Sequence, residues 1–314
     1  MLVELGLSYG VYKAWQFLDS KNERKIKNKI NQFVDGKKII NSINKKPKVK
    51  DIKLFDWGSK VTLDIAGISS FEDIEKHEDY LRQLFRAKEI NFENNKGKII
   101  LEIINNPVED LYYKPIELLP TQLLLGFDAK GEPIVIDMKV TPHVGVQGLS
   151  NNGKTKMIEL MLRNLKGADF VLLNTMKDDF KGISGRRIND RDKIKEFLEK
   201  LVKEPYYHQK PLYVILDEAN VIGKDKKNGI NTVVEDVLFQ GRHFNVYFIS
   251  IGQSLLKEDC PYKQKFNVKV TFKQSKSVID SFLNVKESNY NLKMREFIVD
   301  DGCIRKGKSY KYNF

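Results

Sequence analysis

The stretch Gly148-Leu149-Ser150-Asn151-Asn152-Gly153-Lys154-Thr155 constrains this chain more than any other. It satisfies G-x-x-x-x-G-K-[ST] at every position, and the residue types follow from what such a loop must do. Its glycines let the backbone curl until N–H groups point at phosphate oxygens. Ser150, Asn151 and Asn152 fill the curl between Gly148 and Gly153. Lys154 then reaches the β- and γ-phosphates of a nucleotide, and the Thr155 hydroxyl holds Mg²⁺. The motif works only between a strand and a helix. Residues 143 to 147 read as a short buried strand, and Met157, Ile158, Leu160, Met161 and Leu165 recur at helical spacing after the loop. The phosphates would therefore lie at a helix N-terminus.

A second block supplies the acids. Residues 212 to 216, Leu-Tyr-Val-Ile-Leu, form an unbroken apolar run, as in a strand buried on both faces, and it ends in Asp217-Glu218. Asp217 is placed to act on the metal side, and Glu218 to polarise the attacking water as general base. A third block, residues 246 to 251, is another strand, and Gln253 follows at its C-terminal end, where a side chain can sense the γ-phosphate. ATP and Mg²⁺ are the ligands these blocks imply.

Taken together the blocks resemble the FtsK/SpoIIIE family of DNA-translocating ATPases. Pro142-His143 leads into the phosphate loop, residues 212 to 218 match the family's acidic strand, and Gly241-Arg242 through Gly252-Gln253 match its next block. Residues 270 to 283 echo a fourth. The resemblance implies a hexameric motor that pulls double-stranded DNA through its pore. It also implies a cation given to the neighbour's ATP. The family's usual arginine has Lys269 as its nearest equivalent here, a point charge without the planar fork, so either Lys269 or Arg242 takes that part. Neither an orientation-reading winged helix after residue 283 nor a multi-span membrane domain is expected. A short form of this kind looks like the motors of conjugative elements, plasmids or viruses, serving transfer or packaging. Two other readings compete: a nucleotide switch in assembly that moves nothing, and a RecA-like single-stranded DNA helicase.

Charge is unevenly placed. The chain carries a net +12, and residues 20 to 50 hold eleven basic residues against Glu23 and Asp35, a net of +9. Such a run attracts DNA phosphates or an anionic membrane. Residues 1 to 18 are apolar and aromatic but include Glu4 and Lys13, which suits an amphipathic helix packed on the protein or on a membrane surface better than a spanning segment. Charge alone does not choose between these partners. With only Cys260 and Cys303, and four histidines, neither a disulfide framework nor a zinc site is expected. A cytoplasmic protein, with a peripheral contact at the inner membrane face as an open option, fits this composition.

The remaining pattern organises the chain as α/β. Residues 1–50 read as an apolar then basic helical segment. Residues 51–119 read as a small α/β domain, with strands at 60–65, 89–92 and 98–103 and one helix capped by Ser70. Residues 120–314 read as a RecA-like ATPase domain, in which a hairpin around Asp128 to Gly131 precedes alternating strands and helices, and so a mainly parallel sheet.

Overall fold

The computed structural model describes residues 20–312 apart from 177 and 286–289. The apolar stretch at 1–18 lies outside these residues. Among the described residues no helix is long and apolar enough to cross a membrane. The chain forms two compact units, divided between Glu109 and Asp110.

The first unit opens with helix α1, which runs through residues 20–36. Lys21, Lys25 and Lys27 are exposed, but Ile30, Phe33 and Val34 recur on one stripe and join a core with Val61, Leu63, Leu81, Phe85 and Leu101. A division at residue 50 is thereby corrected, because the basic segment contributes to the small unit's own core. The sheet has four antiparallel strands, β1 (Lys48–Phe55), β2 (Gly58–Asp64), β3 (Glu89–Asn95) and β4 (Lys98–Ile104), in the order β1-β2-β4-β3. Strict alternation of buried and half-buried residues along β2 marks one core face and one wetter face. Ser70 Oγ accepts from Asp73 N at 3.1 Å while Asp73 Oδ2 accepts from Ser70 N at 3.1 Å, a reciprocal cap. The expected single helix is nevertheless two, α2 (Glu72–Glu75) and α3 (Glu78–Phe85), with a break at His77, whose ring packs edge-on against Phe33.

The second unit is built on ten strands in the order β6-β5-β14-β13-β12-β7-β11-β10-β8-β9. Its parallel part comprises β7 (Val144–Gln147), β8 (Asp169–Leu173), β9 (Arg186–Ile188), β10 (Leu212–Leu216), β11 (Val246–Gly252) and β12 (Val268–Thr271). Alternate residues of β10 enter different cores. Tyr213 and Ile215 pack with Met157 and Met161 of α4 (Lys154–Asn164), whereas Val214 packs with Ile194 and Leu198 of α5 (Arg191–Lys203) and Val234 of α7 (Ile230–Gln240). Helices therefore cover both faces, as the unbroken apolar strands require. Two further helices, α6 (Ala219–Lys224) and α8 (Lys276–Leu283), follow β10 and β12. Asp190 caps α5 by accepting from Lys193 N at 3.0 Å.

Four antiparallel strands complete the sheet. The expected hairpin is present as β5 (Gln122–Phe127) and β6 (Pro133–Asp137), and Asp128 Oδ1 accepts from the N–H groups of Lys130 and Glu132 in its turn. A second hairpin, β13 (Glu296–Asp300) and β14 (Ile304–Lys308), bridges it to β12.

His143 stands at the start of β7 with φ 67, 1% exposed, and its Nδ1 accepts from Phe248 N of β11 at 3.1 Å. Burial holds this imidazole down at about 4, against an ordinary 6.5. The unfolded chain thus binds the extra proton first. Its contribution is complete above pH 6.5 and is lost as pH falls toward 4, amounting to about 3 kcal/mol. His143→Asn places an amide oxygen where Nδ1 accepts. Urea unfolding between pH 7 and 4.5 is expected to show a shallower loss of stability for that variant than for the wild type.

Candidate functional site

The C-terminal ends of β7, β10, β11 and β12 share one edge of the large sheet, and the glycine loop leaves from that edge. Its first glycine is sterically obligatory. Gly148 has φ 148, and a Cβ there would come within 2.6 Å of Phe272 Cβ. Gly148 N donates to Gln253 O at 3.1 Å, and Leu149 N donates to Lys273 O at 3.0 Å, so the loop is sewn to the segments beyond β11 and β12. Within the curl, Asn151 takes a left-handed φ of 61, and Asn152 Nδ2 donates to the carbonyls of Ser150 and Leu149. Gly153, at φ 103, opens α4.

Lys154 is 9% exposed, and its Nζ donates to Gly148 O at 2.6 Å and Leu149 O at 3.0 Å. Burial pulls its ammonium below the ordinary range, and the carboxylates of Glu218 and Asp217 oppose that pull. All three groups therefore feel one another across the edge. Asp217 is 5% exposed, and burial pushes its carboxyl up to about 7, reinforced by Glu218 and Asp179. The Glu218 N–H donates to Asp217 Oδ1 at 2.9 Å and works against that rise. Glu218 itself is held at φ 49, and its Oε2 is buried without a hydrogen-bond partner. A strained backbone around an unsatisfied carboxylate oxygen is costly, and such strain collects at functional sites.

Nucleotide and metal can be tested against these groups. Lys154 has acceptors that phosphate oxygens can replace. Thr155 is the second residue of α4, and Asp217, which follows β10, is close enough to act on the Lys154 charge. Among the described residues there is no cluster of three or more metal-ligating side chains. That donor set suits Mg²⁺, which is commonly held by one or two protein groups together with substrate phosphates. The residues fit ATP and Mg²⁺.

Lys154, Thr155, Asp217, Glu218 and the exposed Gln253 thus come together at one edge. The two candidate cations do not join them. Arg242 is exposed in a 3₁₀ turn, Gly241–Phe244, before β11, at the opposite edge of the sheet. Lys269 is half-buried inside β12, in register with Gly145 and Asp300. Neither is a hydrogen-bond partner of the loop.

Several site groups escape sequence reasoning. Asn220 Oδ1 accepts from Gln253 N at 3.1 Å, and Asn174, at φ 56 after β8, donates from Nδ2 to Asp217 O at 3.0 Å. Buried Glu159 of α4 accepts from Phe180 N at 2.7 Å and pairs with Lys156, which ties the loop after β8 to the nucleotide helix. Arg295 N donates to Asn152 O at 3.1 Å. A polar residue inside an apolar strand, as at Gln147, is the one such signal available in the sequence. Arg295 has none.

No protein-family model matches the chain, and no curated protein matches it. Solved structures do. The conjugation coupling protein TcpA of pCW3, in its monomer form with ATPγS, aligns at TM-score 0.60 and 14% identity over 91% of this chain and 95% of TcpA. EssC (ATPases 2 and 3) from Geobacillus thermodenitrificans aligns at TM-score 0.52 and 12% identity, over 79% of this chain and 52% of EssC. The cytoplasmic domain of the type VII secretion ATPase EccC of Thermomonospora curvata aligns at 0.50 and 16%, over 64% of this chain and 30% of that one. The chain therefore has a P-loop ATPase fold, a mixed α/β architecture with a large, mostly parallel sheet.

Gly148→Ala is expected to lower stability by about 2 to 4 kcal/mol, since backbone and Phe272 must both move. Leu149→Ala, on an exposed neighbour, is expected to change it by less than about 0.5 kcal/mol. Thermal unfolding of the two variants beside the wild type checks this. Similar losses in both would mean that the loop is not held as described.

Proposed function

We propose that this protein is an ATP-driven translocase of double-stranded DNA, working as a homo-hexamer in the transfer of a mobile element's DNA. The observation that carries the reading is the convergence of Lys154, Thr155, Asp217 and Glu218 on one sheet edge. Lys154 exchanges its two carbonyl acceptors for β- and γ-phosphate oxygens. Thr155 and Asp217 hold Mg²⁺, which, when bound, neutralises charge on the phosphates. Glu218 orients the attacking water and takes its proton at the carboxylate oxygen that lacks a partner. Gln253, joined through its backbone to Gly148 and Asn220, reports the state of the γ-phosphate to the segment after β11.

TcpA, which shares the fold over nearly all of its length, is a conjugation coupling protein, and this favours transfer over packaging. The outward lysines of α1 supply a basic surface for DNA phosphates. An anionic membrane would draw the same face.

The reading predicts ATP hydrolysis stimulated by duplex DNA. Glu218→Gln is expected to keep nucleotide affinity while slowing turnover by about 10² to 10⁴, and Lys154→Ala to lose binding. Turnover measured with and without duplex, together with triplex displacement, checks the proposal. Wild-type hydrolysis by Glu218→Gln would remove the general-base role. Turnover indifferent to DNA would favour a nucleotide switch, and strand separation a helicase.

Because Arg242 and Lys269 both lie away from the chain's own loop, we assign one of them to a neighbouring subunit's γ-phosphate. Such a cation is worth about 10³ to 10⁵ in turnover. Mixing Glu218→Gln subunits with subunits lacking the cation is expected to restore activity. Unchanged turnover when both cations are neutralised would remove the shared site.

A further inference from the structure

Arg295 lies against the phosphate loop on the flank the acids do not occupy. In the sheet order, β7 has β11 and then β10 on one side, and β12 and then β13 on the other. Asp217 and Glu218 follow β10. Arg295 immediately precedes β13, which runs antiparallel to β12, so it emerges at the same edge as the loop. A triphosphate with its γ end toward Asp217 and Glu218 carries its α-phosphate and nucleoside toward Arg295.

Contacts place the side chain close to that path. Arg295 N donates to Asn152 O at 3.1 Å. A Cβ on Gly153 would sit 3.4 Å from Arg295 Cγ and 3.7 Å from its Cα, so the arginine stem passes over the bare glycine. Arg295 is also held at a left-handed φ of 68. Its guanidinium donates to Ser309 O at 3.1 Å and pairs with Asp110. That carboxylate is oversupplied. Lys311 reaches it at 2.7 Å and Lys308 at 3.6 Å, so Asp110 stays paired if Arg295 leaves. Departure of the arginine strands no charge.

We propose that Arg295 is a nucleotide-binding residue of its own subunit's site, which exchanges Asp110 for the α-phosphate when nucleotide binds. The inference rests on the ATP-site reading above. A guanidinium suits the exchange because it keeps its charge and offers several donors in a fixed plane.

Affinity, not turnover, tests it. Fluorescent ATP and ADP analogues are titrated into the full chain carrying Arg295→Ala, Arg295→Lys, Asp110→Asn or Lys154→Ala, with melting temperature recorded for each. Loss of one charge-assisted contact is expected to weaken ATP and ADP by the same factor, about ten- to a hundredfold. Arg295→Lys recovers part of that loss, and Asp110→Asn tightens both nucleotides by removing the competing carboxylate. Unchanged affinity in Arg295→Ala overturns the proposal. So does a loss confined to ATP, which would place the arginine at the γ-phosphate. A loss in Asp110→Asn equal to that in Arg295→Ala overturns it too, because the pair would then be a strut. If Lys154→Ala binds like the wild type, the ATP-site reading fails and this inference with it. If Lys154→Ala loses binding and Arg295→Ala does not, only the inference fails.

Discussion

One buried amide fixes the working edge of the large sheet. The Gln147 side chain is fully buried at the end of β7. Its Nε2 donates to Thr271 Oγ1 at 3.3 Å and to Val278 O at 3.4 Å, and its Oε1 accepts from Leu255 N at 3.0 Å. Those partners belong to β12, to α8 and to the segment after β11. Its backbone carbonyl also accepts from Phe272 N at 2.8 Å. An amide buried among apolar strands is costly unless its donors and acceptors are met, and here they are met by groups from separate parts of the chain. The glycine loop begins at the next residue. Its position is thus set by three elements at once, and the acids at the end of β10 have a fixed target.

Legibility in the sequence followed how locally each feature is encoded. The glycine loop and the acidic strand announce themselves through short-range pattern: bare glycines, and an apolar run stopped by two acids. Strand β1 is hidden because Lys48 and Lys50 read as part of a basic helical run, while only Val49 and Ile52 pack on the core, across a bulge between Val49 and Asp51. The β13–β14 hairpin was missed for a different reason. Asp301-Gly302 after the apolar run Phe297-Ile298-Val299 does mark a turn, but the pairing to β12 depends on the fold bringing distant segments together. The partners of Arg295 lie at 110, 152 and 309, separations that no periodicity reports.

The site is asymmetric in a way that matters for its chemistry. Carboxylates gather on the flank of β10, where burial raises Asp217 and leaves a Glu218 oxygen without a partner. Cations gather on the flank of β13, where three of them share Asp110. The loop lies between an acidic flank and a basic one, and an elongated polyanion laid across it has one preferred direction. Lys154, at the centre, feels the acids and is desolvated by its surroundings, so its charge is partly balanced before any ligand arrives.

The way α1 is built has a consequence for how its charge can be separated from its fold. Ile26, Ile30, Phe33 and Val34 form an inward stripe, while Lys21, Arg24, Lys25 and Lys27 of the same helix are exposed. Removing the segment wholesale would open the small unit's core, since a buried Phe33 side chain alone is worth about 3 to 5 kcal/mol. Single replacements at Lys21, Arg24, Lys25 or Lys27 leave the stripe untouched. Electrostatic reach and folding are thus written in alternating letters of the same helix. A lineage could therefore raise or lower its grip on a polyanion one residue at a time without disturbing the scaffold.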